Sequence, residues 1–166
     1  MRTFILSLAA LAVAAPAALA QPAPLGCYAR DYTEEHLAGR PSQGVAQMRL
    51  LLSPPQIGSG ATARFEIRVI MSNQGQAERD GVTGQVLFEE GQCRDEDALD
   101  CTVACDGGGF EVVRQGNSEL LIRTGAFMRV ADGLCGEGKF SSSLAEEAGP
   151  QLYLLRPAPL ESCREF

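Results

Sequence analysis

Hydrophobic and polar residues alternate along much of the chain with a period of two, and residues 61–71 show this most clearly. Phe65 and Ile67 fall on one face of an extended segment, while Arg64 and Glu66 fall on the other. Because successive side chains of a strand point to opposite sides, this pattern predicts a half-buried strand. Weaker versions of the pattern predict seven further strands, at residues 45–52, 82–89, 101–105, 110–115, 119–123, 127–130 and 152–156.

Clusters of turn residues separate these segments. They lie at residues 72–75, 107–109, 116–117, 124–125 and 132–133. About eight short strands with tight links predict an all-β fold, mainly an antiparallel sandwich or a small barrel. The three glycines at 107–109 are expected to form a hairpin or bulge with positive φ. An α+β fold is the alternative.

Two short helices are predicted beside the strands. Residues 33–39 begin with Thr33 as a potential N-cap, followed by two acidic residues, and end at a glycine. Residues 143–148 show capping-box spacing between Ser143 and Glu146, and Gly149-Pro150 follows them. Both segments are too short to build a helical core, so the helices are expected to be minor additions.

The first twenty residues have the pattern of a cleavable export signal. Arg2 precedes an apolar run over residues 4–15, and Ala18-Leu19-Ala20 offers small residues for cleavage between Ala20 and Gln21. A Pro-rich leader at 21–26 and one disulfide-stabilised domain at 27–166 would follow. The apolar run is shorter than the roughly 20 residues of a membrane span. We therefore expect a periplasmic or extracellular protein with no transmembrane segment in its mature form.

A lipid-anchored form is the alternative at the N-terminus. Leu25-Gly26-Cys27 resembles the end of a bacterial lipid-attachment box. Pro24 stands where an aliphatic residue is usual, and lipidation of Cys27 would leave an odd number of cysteines. Simple secretion is therefore preferred.

Charge limits the class of partner. The chain has 14 basic and 21 acidic residues and a formal net charge of −7, which becomes one unit more negative when Arg2 leaves with the signal. An anionic protein has no general attraction to phosphates or acidic lipids, so no nucleic acid is expected as a partner. Arginines at 49, 64, 68, 114, 123, 129 and 156 recur on the predicted strands and are expected to form cross-strand ion pairs there.

The six cysteines predict disulfides, because thiols oxidise outside the cytosol. Cys101 and Cys105 lie four residues apart in one predicted strand, which would separate their Cα atoms by about 13 Å, so they need different partners. The preferred pairs are Cys27 with Cys163, Cys93 with Cys101, and Cys105 with Cys135. A zinc site built from Cys93, Cys101, Cys105 and His36 is disfavoured, because paired C-x-x-C spacing is missing.

No motif identifies a catalytic or cofactor site, and no cofactor is expected. His36 is the only histidine, and Asp31 or Glu35 could orient its ring, but no nucleophile elbow accompanies it. His36 is therefore a weak catalytic candidate and is expected to be a hydrogen-bonded surface residue. The acidic run Asp95, Glu96, Asp97 and Asp100 departs from the helix-loop-helix calcium pattern and is expected to form a solvated loop.

Residues 27–41 are dense in aromatic and charged side chains, which makes this stretch the candidate binding surface. Its named members are Tyr28, Arg30, Tyr32 and His36. The function expected from these features is a non-enzymatic binding or inhibitory module that recognises an unidentified protein or envelope polymer. A structural envelope component and a small envelope hydrolase that uses His36 are the alternatives.

Overall fold

The computed structural model describes residues 23–116, 119–146 and 149–165. The predicted signal segment 1–20, the first two leader residues, Asn117 of a predicted turn and the last two residues of the predicted helix 143–148 lie outside this part. The strands found in it are β1 (Gly26–Asp31), β2 (Val45–Ser53), β3 (Ala63–Met71), β4 (Val86–Asp95), β5 (Leu99–Val103), β6 (Gly108–Gly116), β7 (Glu119–Ala131), β8 (Ser141–Ser143) and β9 (Leu152–Ala158). Its helices are α1 (Glu34–Ala38), α2 (Gly75–Arg79) and the 3-10 helices Leu134–Gly136 and Leu160–Cys163.

Eight of these strands form a closed antiparallel barrel. Each strand from β1 to β6 pairs with the next one along the chain, β7 pairs with β9, and β9 pairs back with β1. β8 lies beside β7 as an extra strand. The prediction of an all-β fold with two short α-helices is confirmed, and the architecture is a barrel.

Because neighbouring strands alternate in direction, the links β1–β2, β3–β4, β5–β6 and β7–β9 all lie at one end of the barrel. We call this the α1 end, since α1 lies in the β1–β2 link. The first residue of β1 and the last residues of β9 lie at the opposite end, where Cys27 pairs with Ala158.

Side chains fill the interior of the barrel. The inward residues of β3, including Phe65, Ile67 and Val69, are fully buried, and Phe65 meets Phe110 of β6 edge-to-face with ring centroids 5.0 Å apart. An eight-stranded barrel is only about wide enough for its own side chains or one small ligand. Here the side chains occupy that space, so a ligand would bind at an end or on the outer surface.

Three disulfides join the pairs of cysteines preferred from the sequence. Cys27 of β1 is bonded to Cys163 after β9, with a Cα–Cα distance of 6.0 Å. Cys93 and Cys101 face each other across β4 and β5, and Cys105–Cys135 ties the β5–β6 link to the 3-10 helix after β7. The cysteines of the zinc alternative are therefore not free thiolates, and that alternative is wrong.

Cross-strand ion pairs of the kind predicted occur on the outer surface. Arg49 bonds Asp31 at 2.6 Å, Arg64 approaches Glu90 at 3.7 Å, and Arg123 contacts Glu111. In the described ranges, no helix has the length and apolar character needed to cross a bilayer.

One ion pair is buried, which the sequence did not indicate. Glu89 is 1 % exposed, and its Oε1 accepts a 2.7 Å hydrogen bond from Arg129 Nε. The Arg129 guanidinium also donates to the carbonyls of Ala104 and Cys105, at 2.9 and 3.2 Å. Glu89 Oε2 has no hydrogen-bond partner among the described residues. This pair fastens the start of the β5–β6 link to the wall of the barrel.

The predicted helix at 143–148 is wrong over its described residues. Residues 141–143 pair with β7 as β8, and Leu144 donates a backbone hydrogen bond to Met128. The Ser143 hydroxyl accepts from the Ala145 amide, two residues on, at 3.1 Å. Serine here closes a local turn instead of capping a helix, because side chain to backbone bonds over short spacings compete with helix formation.

Three predicted strand boundaries also need correction. The strand predicted at 101–105 ends at Val103, so Cys105 lies outside it with a φ of +55°, and the separation expected for Cys101 and Cys105 in one strand does not apply. Val82 is not in a strand: it is buried in the β3–β4 link, where its amide donates to Ala77, and β4 begins at Val86. The predicted strands 119–123 and 127–130 are one continuous strand, β7, and the turn expected at 124–125 lies within it. Thr124 keeps that segment extended by two hydrogen bonds with the backbone of Gln151.

Candidate functional site

His36 is held at the α1 end of the barrel by the short helix α1. As predicted, Thr33 caps this helix, and its hydroxyl accepts a hydrogen bond from the His36 amide at 3.2 Å. Glu34 and Glu35 occupy the first turn, where negative charge favours the helix N-terminus. The cap fixes the direction in which the imidazole leaves the helix.

Three of the four residues of the predicted binding surface stack on one another. The Arg30 guanidinium lies over the Tyr32 ring, with Cζ 5.1 Å from the ring centroid, and the Tyr32 and His36 rings are 4.8 Å apart. Tyr28 shares the face of β1 with Arg30 and Tyr32 but lies opposite Leu50, packed against the core. Burial raises the pKa of Tyr28. The structure therefore joins Arg30, Tyr32 and His36 and leaves Tyr28 out.

Gln43 connects this stack to the neighbouring loop. Its Oε1 lies 3.1 Å from His36 Nε2, and its Nε2 donates to the Val45 carbonyl at 3.0 Å. Burial raises the pKa of Tyr32, and the charges of Arg30 and Arg40 and a hydrogen bond with Gln43 partly offset this rise. Among the described residues, the His36 ring forms no hydrogen bond with a serine, cysteine or carboxylate side chain. Its hydrogen-bond partner there is the Gln43 side chain, which it helps to orient.

A pocket of about 300 Å³ opens beside Gln43, and we call it the rim pocket. It is lined by Gly39, Arg40, Pro41, Ser42, Gln43, Glu146, Gln151, Leu152 and Tyr153. These residues come from the β1–β2 link, the β7–β9 link and the start of β9. Closure of the barrel brings the three segments together.

Glu146 is the unusual member of the rim pocket. The residue is only 9 % exposed, and no hydrogen bond or ion pair joins its carboxylate to any residue that the structure describes. A carboxylate in so confined a position normally has a protein partner. A group of this kind is held in place by its surroundings and is ready to accept a donor.

Two other residues that line the rim pocket, Tyr153 and Gln151, have acceptor oxygens beside their donated hydrogen bonds. The Tyr153 hydroxyl donates to the Leu144 carbonyl at 2.9 Å, which leaves its oxygen lone pairs as acceptors. Burial, and then the charge of Glu146, raise the pKa of Tyr153 far above its ordinary value, so the hydroxyl keeps its proton. Gln151 Nε2 donates to the Gly149 carbonyl, and Oε1 of the same side-chain amide can accept a hydrogen bond.

The loop 39–44 that forms one wall of the rim pocket is fastened to the β3–β4 link. Gln74 Nε2 donates to the carbonyls of Leu37 and Arg40, at 3.0 and 2.6 Å. The Ser72 hydroxyl donates to the Gln43 carbonyl at 2.8 Å. The pocket wall is therefore set by a segment that does not itself line the pocket.

Replacing Gly75 by alanine should displace this wall. Gly75 has a φ of +63°, and an added Cβ would lie 2.1 Å from the Ser42 carbonyl oxygen. We expect a loss of about 2 to 3 kcal/mol in the free energy of unfolding, measured by denaturant titration, because φ strain and a backbone clash combine. Gly81→Ala is the matched control, since Gly81 has a φ of +69° with nothing within 4 Å, and it should lose only about 1 kcal/mol. Equal losses for the two variants would contradict the clash.

Two larger grooves lie on the outer surface of the barrel. One of about 670 Å³ crosses β3, β4 and β5, and one of about 880 Å³ crosses β5, β6 and β7 beside the acidic run. The ion pairs Arg64–Glu90 and Arg123–Glu111 neutralise part of the charge in them. Within the described ranges, no group of three or more His, Cys, Asp or Glu side chains is placed to hold a metal ion.

Sequence reasoning missed Gln43, Glu146 and Tyr153. The sequence pattern gives Glu146 the spacing of a capping box with Ser143, and it makes Tyr153 one apolar position of a weak strand. The run of four apolar residues at 152–155 indicates a strand but not which residues point inward, and the structure shows Tyr153 and Leu155 buried. Nothing in the sequence showed that this strand would meet residues 39–43.

No family model, curated protein or solved structure matches the chain. These comparisons therefore indicate no ligand for the barrel or for the rim pocket. Function has to be inferred from the side chains of the rim pocket.

Proposed function

We propose that the chain is an exported, non-enzymatic binding module that recognises a protein or an envelope polymer through the rim pocket. The observation that carries this proposal is the Glu146 side chain in the wall of an open pocket, on a residue that is 9 % exposed and forms no ion pair or side-chain hydrogen bond with a described residue. A bound donor would supply the hydrogen-bond partner that the described part of the chain does not give this carboxylate.

Export is supported by the cysteines. Among the described residues every cysteine is in a disulfide, which is the usual state in oxidising compartments. The Cys27 sulfur is bonded to Cys163 and has no valence left for a lipid, which favours the unanchored form. We expect the signal segment to be cleaved between Ala20 and Gln21. A protein that retains Met1 in its native compartment would contradict export with cleavage.

A binding role fits His36 better than a catalytic role. A histidine that acts as a general base needs the proton it removes within hydrogen-bond reach. The only hydrogen-bond partner of this ring in the described chain is Gln43, which lines the rim pocket. His36 then serves recognition by orienting the Gln43 amide.

Two exposed leucines at opposite ends of the barrel provide the test. Leu152 lines the rim pocket and is 59 % exposed, while Leu160 follows β9 at the other end and is 42 % exposed. The oxidised mature domain, wild type or carrying Leu152→Asp or Leu160→Asp, is used to capture partners from an envelope extract. We expect recovery of the captured partner to fall at least about tenfold with Leu152→Asp, because a carboxylate would be desolvated in the interface.

The Leu160→Asp variant should recover the partner as well as the wild type does. Thermal melting of the three oxidised proteins checks that each is folded before capture. Equal recovery by Leu152→Asp and Leu160→Asp, with both folded, would place the binding surface away from the rim pocket and refute the proposal.

A further inference from the structure

Two opposite charges line the rim pocket without neutralising each other. Arg40 and Glu146 both line it, and Arg40 is exposed while Glu146 is only 9 % exposed. Neither residue forms an ion pair with any residue in the described part of the chain. In a pocket of about 300 Å³, both charges would act on the same bound group.

The polar atoms around Glu146 form one acceptor site. The Tyr153 hydroxyl proton is directed to the Leu144 carbonyl, and the Gln151 amide donates to the Gly149 carbonyl. No described residue donates to the Tyr153 hydroxyl oxygen or to Gln151 Oε1, so these two oxygens and the Glu146 carboxylate can accept hydrogen bonds, and all three residues line the rim pocket. An ammonium group has three donors and no acceptor, so it matches this set.

Arg40 provides the opposite chemistry. A guanidinium presents paired N–H donors that suit a carboxylate, which binds them through two oxygens. A simple anion in the pocket would be repelled by the negative charge of Glu146, and a simple amine would be repelled by the positive charge of Arg40. A ligand that carries an ammonium and a carboxylate on the same carbon atom satisfies both residues.

We infer that the rim pocket binds a zwitterionic α-amino-acid group, with Glu146 accepting from the ammonium and Arg40 binding the carboxylate. This inference rests on the proposed function and adds the chemical class of the ligand. The group can come from a free amino acid or from a residue attached to a polymer through its side chain. Both sources present the same two charges on one carbon.

The test is a titration of the oxidised mature protein with alanine, followed by NMR of ¹⁵N-labelled backbone amides. We expect saturable shifts at the rim pocket. N-acetylalanine, which lacks the ammonium, and alaninamide, which lacks the carboxylate, should each bind at least about tenfold more weakly, because each loses one charge-assisted contact. Glu146→Gln and Arg40→Gln should weaken alanine binding by a similar factor.

Matched controls come from the opposite end of the barrel. Glu161→Gln and Arg164→Gln remove one charge of each sign at exposed positions there and should bind alanine like the wild type. Lysine coupled to beads through its side-chain amine provides the polymer-attached form of the same group. Retention on these beads with weak alanine binding would identify the attached source, and strong alanine binding would identify the free one.

The inference is overturned if neither alanine nor the lysine beads bind the wild type. It is also overturned if Glu146→Gln and Arg40→Gln bind as tightly as the wild type does. If these results occur while Leu152→Asp still abolishes capture of a partner, the binding module stands and only the ligand class is wrong. If Leu152→Asp also leaves capture intact, the proposed function fails as well.

Discussion

Replacing Glu89 by glutamine should lower the free energy of unfolding by about 3 kcal/mol. The change keeps the shape of the buried Glu89 side chain but leaves the Arg129 guanidinium, whose side chain is 13 % exposed, without its counter-charge. Removal of one member of a buried ion pair is costly, typically about 3 to 5 kcal/mol, because the remaining charge has lost its hydration. Denaturant titration of the oxidised protein measures the effect through the shift of its midpoint.

The neighbouring residue is the control for this prediction. Glu90 faces outward and pairs with Arg64 at 3.7 Å, with both side chains more than 40 % exposed. Exposed pairs contribute little, so Glu90→Gln should change stability by less than about 1 kcal/mol.

A double-mutant cycle isolates the pair itself. Glu89→Leu combined with Arg129→Met should be much less destabilising than the sum of the two single changes, because the double variant leaves no unpaired charge buried. Additive losses, or equal losses for Glu89→Gln and Glu90→Gln, would show that the buried pair has no special role.

Local pattern was enough to predict the single elements with the strongest signals. β3 alternates without interruption, and Thr33 followed by two acids gave α1 with its cap. These features depend on residues within a few positions of one another, so the sequence contains them in full. The disulfide Cys93–Cys101 is also a local feature, since the two cysteines face each other across one hairpin.

Features that depend on closure of the barrel could not be predicted. Whether eight strands form a sandwich or a barrel is decided by the pairing of β1 with β9, whose residues are more than a hundred positions apart. β1 itself was missed, because its inward positions carry Tyr28 and Arg30 in place of aliphatic side chains. α2 was missed since it starts at a glycine and its N-cap, Gln74, makes no side-chain cap.

The rim pocket, like the barrel, could be predicted only in part from the sequence. Arg30, Tyr32 and His36 lie within seven residues of one another, and their grouping was visible as a dense polar and aromatic stretch. Glu146 and Tyr153 reach that stretch only because β9 closes the ring beside β1. The sequence therefore indicated one side of the site, and tertiary pairing supplies the other.

Replacing both Cys27 and Cys163 by alanine should have the largest effect of any disulfide change. The two cysteines are separated by 136 positions, and cross-linking so long a loop removes chain entropy worth about 5 kcal/mol from the unfolded state. The folded state also depends on the bond, since β1 and β9 share only three paired positions and one of these is Pro157, which has no amide to donate. Denaturant titration should show the loss, and amide hydrogen exchange should rise in β1.

The comparison is with the double replacement of Cys105 and Cys135, which lie 30 positions apart and are both exposed. The same entropy argument gives about 3.5 kcal/mol for that bond, and exchange in β1 should stay at the wild-type rate because the seam between β1 and β9 is intact. The seam is then the place where the barrel opens first, with the Cys27–Cys163 bond holding it. A larger loss from the Cys105–Cys135 change, or unaltered exchange in β1 without Cys27–Cys163, would mean that the strand pairing alone keeps the ring closed.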